Sequence, residues 1–297
     1  MMTTAGPTRP DTPRETRFQE DDPRRVAREL WRRNAVLAVV AAVHVALLVG
    51  FLGGLVVDTR TIGGEPAWLK PAKFAASIAL VTATLGWLSE HFPVDDETLR
   101  RISIGIAVTA VIEIVLIGGQ AGRGVESHFN FSTPLNGAVY TTMGVAIIGF
   151  TLLVGWLLVR SVQGQFSITS AFKWGIVLGL AVFIIGSVQG GTMIALERSV
   201  VVTGTTIPVF GWSIAGDLRV AHFVGLHALQ ALPAAGYLAA VAGERTRLER
   251  PTRIVVAFAT VYGAVLLLAF LYAIFPLLPL PINSSPLDEF LLIPLST

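Results

Sequence analysis

The chain has 297 residues, of which 53% are hydrophobic and only 14% charged, against roughly 25% charged in an average soluble domain. With a mean hydropathy of +0.67, the polar surface is too small to cover a soluble core, and disordered, fibrous and disulfide-stapled proteins are excluded as well. The absence of cysteine removes disulfides, zinc fingers, iron–sulfur clusters and thiol nucleophiles, and a net charge of only +2 argues against a nucleic-acid partner despite a pI near 9.2.

In chain order, residues 1–21 are rich in Thr, Pro, Arg and acids and read as a disordered cytoplasmic tail. Asp22-Pro23 is a helix start, with Asp as cap and Pro in the first turn, and that helix is expected to run through Trp31 into the first apolar run. A transmembrane helix needs about 20 mostly apolar residues. Seven stretches qualify: 34–57, 71–90, 102–120, 137–159, 173–195, 219–242 and 254–275. Their apolar runs are continuous rather than alternating, which excludes a β-barrel. The expected fold is therefore all-α, a seven-helix integral membrane bundle. The Pro/Leu-rich segment 276–297 cannot form another long helix and is expected to lie on the outer membrane face or fold over the bundle.

Orientation follows from Lys and Arg. Eight arginines fall in the first 33 residues; if that end is cytoplasmic, sixteen of the twenty-two basic residues lie inside. An odd number of spans then puts the C-terminus outside. The first span starts too late and is too long for a cleaved signal peptide, so it is expected to stay as an anchor in the cell membrane.

Charged or strongly polar groups inside a bilayer are costly, so each is a candidate site. At about 1.5 Å of rise per residue, Glu113 lies about 10 Å below the outer end of span three and Gln189 about 9 Å below that of span five. His222 and His227 come about 5 and 12 Å deep on span six, Gln230 one turn further in, and His44 roughly 20 Å from the outer edge of span one. The outer segments add Lys70 and Lys73 at the opening of span two, Gln120, Arg123, Glu126, His128 and Asn130 within 118–134, and Glu197, Arg198, Asp217 and Arg219 before span six. The glycines of GGQAGRG let the chain fold back there. Glu113 is expected to face the bundle interior within reach of Arg123, Lys73, Gln189, His222 or His227, either as a helix lock or as a proton-handling group. His222 and His227 project about 140° apart, so one unbroken helix does not readily offer both to a single metal.

Tests against known motifs are mostly negative. Span seven lacks the lysine that retinal proteins need. Seven-helix membrane hydrolases such as the alkaline ceramidases and adiponectin receptors use H-x-x-x-H, whereas this chain has HFVGLH, one residue too long; a resemblance would run through His128, His222 and His227. A bis-histidine haem, as in quinone-reactive b-type cytochromes, would pair His44 with His227 across an expected 8 Å difference in depth. Walker, nucleophile-elbow and dinucleotide motifs are absent. Three functions remain: a protein binding a cofactor or small ligand in an outer-half polar pocket, in its sharpest form with haem- or metal-dependent redox chemistry; a proton-coupled small-solute transporter using Glu113; and a structural or regulatory subunit of a membrane complex.

Overall fold

The computed structural model describes residues 23–196, 217–246 and 249–274, with the backbone of 206–207 and 212–213. The expected behaviour of the two tails, and of Glu197 and Arg198, lies outside the described residues. Among these, seven helices are long and apolar enough to cross a membrane, so the chain is a multi-pass, all-helical membrane bundle.

A short amphipathic helix, α1 (Pro23–Arg33), precedes the spans and buries none of its residues. It does not run on into the first span. Asn34 takes extended backbone and its side chain caps α2 (Ala35–Val57) by accepting the Leu37 N–H. A β-hairpin follows, β1 (Thr61–Ile62) and β2 (Glu65–Pro66), turning through Gly63 and Gly64 at positive φ. Next come α3 (Leu69–Leu88) with a 3-10 turn at Ser89–His91, α4 (Asp96–Arg123), α5 (Pro134–Gln163) and α6 (Ser170–Ala195). A second hairpin, β3 (Thr206–Ile207) with β4 (Trp212–Ser213), leads to α7 (Leu218–Thr246) and α8 (Pro251–Ile274).

Local chemistry sets these boundaries. Asp95, Thr133 and Thr169 cap α4, α5 and α6 through their side-chain oxygens, and Pro134 occupies the first turn of α5. The expected fold-back at GGQAG does not occur. Gly118 to Arg123 continue the helix, and α4 ends at Gly124, whose φ of 73° is the left-handed C-cap. Gly118 serves packing instead: a Cβ there would meet the Phe51 ring at 3.2 Å.

Two halves share the core. On one side α6 and α7 meet along their length, with α8 against both. A Cβ on Gly186 would lie 2.6 Å from the Gly225 Cα, and one on Gly175 would lie 2.6 Å from the Leu232 carbonyl oxygen. Small residues allow this backbone approach, the usual device of helix association in lipid. Pro233 sits inside α7, buried, over Gly179. On the other side, α2, α3 and α4 are joined by one hydrogen-bonded node at the end of the bundle where α2 and α4 begin and α3 finishes. Asn34 Nδ2 donates to Ser89 Oγ at 2.9 Å and to Ser103 Oγ at 2.7 Å. Beside it, Glu29 pairs with Arg32 and Arg33, Glu90 pairs with both, and the Arg33 guanidinium lies 4.2 Å over the Trp87 ring. The hydrogen bonds from Arg32 and then Arg33 hold the Glu29 carboxyl well below the usual range.

Candidate functional site

The end of the bundle where α2 and α4 finish and α3, α5 and α7 begin carries most of the chain's unusual polar chemistry. It is built from the β1–β2 hairpin, the start of α3, the α4–α5 connection and the start of α7. Lys73 pairs with Glu65 at 3.6 Å, and Arg219 pairs with Glu65 at 3.6 Å and with Asp217 at 2.8 Å. Asp217, fully buried, also accepts the Arg219 backbone N–H. Lys70, one residue into α3, lies within electrostatic reach of Glu126, Glu65, Arg219 and Glu113. Charges contributed by four separate segments thus meet at one end of the bundle.

Beside this cluster Gln120, Arg123 and Asn136 form a network. Arg123 donates to Gln120 Oε1 at 2.5 Å and to Asn136 Oδ1 at 3.1 Å, and Gln120 donates to the same Asn136 oxygen and to the Glu126 carbonyl. His128 lies in an aromatic surround of Phe74, Phe129 and Tyr140, with ring centroids 5.7, 6.3 and 6.0 Å away, and Ser127 Oγ is 3.0 Å from its Nδ1. Burial, with Lys70 nearby, pushes its pKa down to about 3, so it is a neutral imidazole at physiological pH.

Glu113 differs from the expectation. It is buried, 6% exposed, and its Oε2 has no hydrogen-bond partner. None of Arg123, Lys73, Gln189, His222 or His227 bonds to it: Arg123 turns to Gln120 and Asn136, Lys73 to Glu65, and His222 to the Gly186 carbonyl at 2.7 Å. The cation acting on Glu113 is Lys70, which sequence spacing placed only at the membrane edge. Gln189 likewise keeps a buried Oε1 without a partner.

The remaining histidines are separate. His227 and Gln230 interact at 3.2 Å, and Gln230 donates to Thr84 Oγ1 of α3 at 3.1 Å. His44 is completely buried, with Nδ1 2.7 Å from the Val40 carbonyl. Thr84 lies five residues from Ser89, whereas His44 lies ten from Asn34 of the same node, so Gln230 meets α3 closer to the node than His44 sits. That reverses the expected order of depth. Its cause is register: the node ties the helices together at one end of the bundle, while span ends read from hydropathy do not align with one another. Among the described residues no three of His, Asp or Glu come together in a way that could hold a metal ion. A groove of ≈ 620 Å³ opens between α4 and α5, lined by Thr109, Ile112, Ala138, Thr141, Thr142, Val145 and Ala146. Glu113 is not part of it.

Sequence reasoning missed Asn34, Ser89 and Ser103, and named Lys70 only as a group at the membrane edge. A signal existed for the first: Asn34 interrupts the passage from Arg33 to the apolar run, where an N-cap is expected. The two serines carry none, since small hydroxyl residues back-bond to their own helix and read as apolar.

The fold and this site define a multi-pass helical membrane protein with a charged cluster at one end of the bundle. No protein-family model matches the chain, and neither a curated protein nor a solved structure matches it.

Proposed function

We propose that the protein lies in the cell membrane with its N-terminus cytoplasmic, binds a small polar solute at the charged outer mouth, and handles a proton at Glu113. The observation that carries this reading is the state of Glu113. A helix lock would be paired, but this carboxyl is buried with one oxygen unbonded and with Lys70, itself at the mouth, as the cation acting on it. In an apolar surround a carboxyl without a bonded partner is costly as an anion, so gain and loss of a proton is the chemistry open to it. Lys70, Lys73 and Arg219 supply cationic anchors for the solute, and Glu65, Asp217 and Glu126 balance them. Electrostatic contacts of this kind orient a ligand as it enters.

The test is infrared difference spectroscopy of the purified, lipid-reconstituted protein across a pH titration. A protonated-carboxyl C=O band should titrate in the unsubstituted protein and be missing from Glu113→Gln. A titration with no such band, or one unchanged in Glu113→Gln, would sink the reading. Orientation is tested separately by reporter fusions. Those after Arg101 and Arg253 should report cytoplasm and one after Gly216 the outside; the reverse pattern overturns it.

A further inference from the structure

At the end of the bundle opposite the charged cluster, α1 sorts its residues by chemistry. At about 100° per residue, Val26, Ala27, Leu30 and Trp31 fall on one arc of roughly 140°. Arg24, Arg25, Arg28, Glu29, Arg32 and Arg33 fill the rest of the circumference. The bundle uses only part of the apolar arc. Leu30 packs on Gly86 of α3, where a Cβ would meet its side chain at 2.9 Å. Val26 remains 47% and Trp31 57% exposed, and Ala27 is exposed beside them.

The attachment of α1 sets its height in the bilayer. One residue, Asn34, separates it from α2, and the extended backbone there breaks the helical line. With 23 residues, α2 rises about 35 Å, little more than the hydrocarbon layer of about 30 Å. Its first turn therefore lies at the lipid–water boundary, and α1 with it. Trp87 in the last turn of α3, under the Arg33 guanidinium, marks the same level, because tryptophan collects at membrane interfaces. The charge on α1 is one-sided, five arginines against one glutamate. Arg32 and Arg33 are taken up by Glu29 and Glu90. Arg25 and Arg28 are in no ion pair among the described residues; Arg28 Nε donates to the Arg24 carbonyl. Residues 1–22 hold acids, but Met1, Met2 and Phe18 are their only large apolar side chains. They answer the arginines and not the apolar arc.

We propose that α1 is a lipid-binding helix lying in the headgroup layer, with Val26, Ala27 and Trp31 turned toward the acyl chains and Arg25 and Arg28 on anionic phospholipid headgroups. A basic face opposite an apolar face that carries tryptophan is the composition of helices that lie in the interface. Guanidinium and phosphate meet in charge-assisted, bidentate hydrogen bonds. A bilayer edge supplies both chemistries at one height, acyl chains on one side of the helix and phosphates on the other. The inference is independent of proton handling at Glu113 and of which side of the membrane holds the N-terminus. Leu30 on Gly86 and Arg33 on Glu90 fasten α1 to the end of α3, so the bound lipid is seated against the α2–α3 corner of the bundle.

The chain has no cysteine, so a single introduced cysteine carries the only spin label. The experiment places one label at a time by Val26→Cys, Trp31→Cys, Arg25→Cys and Arg28→Cys in the full chain, reconstituted in bilayers of phosphatidylcholine and phosphatidylglycerol. Paramagnetic relaxation by oxygen, which concentrates in lipid, is compared with relaxation by a water-soluble nickel chelate. The labels replacing Val26 and Trp31 should be reached mainly by oxygen, and those replacing Arg25 and Arg28 mainly by nickel. Nickel dominance at both apolar positions overturns the proposal. Shielding of both from either reagent overturns it too, because the face is then covered by protein, whether segment 1–22 or a second copy. The headgroup contact is read with spin-labelled lipids. Phosphatidylglycerol should be held at the protein in preference to phosphatidylcholine, and Arg25→Gln with Arg28→Gln should lower that preference about twofold or more, since each basic side chain near the surface adds to the attraction. An unchanged preference in the double variant overturns the recognition of anionic lipid by α1.

Discussion

Between α6 and α7 the helices meet backbone to backbone, through Gly175, Gly186, Gly225 and Gly236, whereas α2, α3 and α4 are tied through Asn34, Ser89 and Ser103 and also bury His44 and Glu113. The first seam uses packing, which in lipid is the main force between helices, since acyl chains are as apolar as leucine. The second spends buried polar groups, and satisfies only some of them. The Asn34 node is bonded at each side-chain atom, while Glu113 and His44 each keep an orphan atom. The difference separates the part of the bundle built for stability from the part able to do chemistry, because orphaned groups are retained against a stability cost.

Substitutions can break or sharpen that contrast. The largest effect is expected in the glycine seam. Gly186→Leu drives a side chain into the Gly225 backbone and should cost about 3 kcal/mol or prevent folding, read as a lowered midpoint of thermal unfolding in detergent; a protein as stable as the parent would show that the seam is looser than described. Next, Asn34→Ala removes the α2 cap and both donors of the node, and should cost about 2 kcal/mol by the same measurement. Glu113→Leu goes the other way. Replacing an unsatisfied buried carboxyl with an apolar side chain should leave stability unchanged or raise it by about 1 kcal/mol, while the carboxyl band disappears. A large loss of stability would mean that Glu113 is a lock, and the contrast between the two sides would fail.

Smaller still is the acid dependence of the α2 end. Hydrogen bonds from the Arg60 side chain and backbone, then from Trp68, hold the Asp58 carboxyl well below its usual range. The folded pKa is depressed, so the stabilisation is present above the unfolded value of about 3.9 and is lost as pH falls below it. Asp58→Asn should flatten this acid limb of the unfolding curve, and an unchanged limb would place its origin elsewhere.

The sequence carried the membrane architecture because hydropathy is summed over about 20 residues and tolerates local error. All seven spans correspond to helices, though their ends moved: α4 runs from Asp96 to Arg123, beyond the expected 102–120, and α1 breaks from α2 at Asn34. Burial of Glu113 was legible from its isolation in an apolar run. Its surroundings were not, because depth counted from each span's own end carries no information on register between helices. The Asn34 node sets that register, and it places His44 level with Glu113 rather than about 10 Å deeper. Lys70 was placed only at the membrane edge because a residue at a helix start reads as interfacial, although its charge acts on Glu113.

The helices are unequal in length. The α4 and α5 helices have 28 and 30 residues, whereas α2 and α3 have 23 and 20, a spread of roughly 15 Å between the longest and the shortest. In α4 the additional length is charged, with Asp96, Glu97, Arg100 and Arg101 in its first turns and Arg123 at its end, so it belongs to the polar ends of the span rather than to the hydrocarbon layer of about 30 Å.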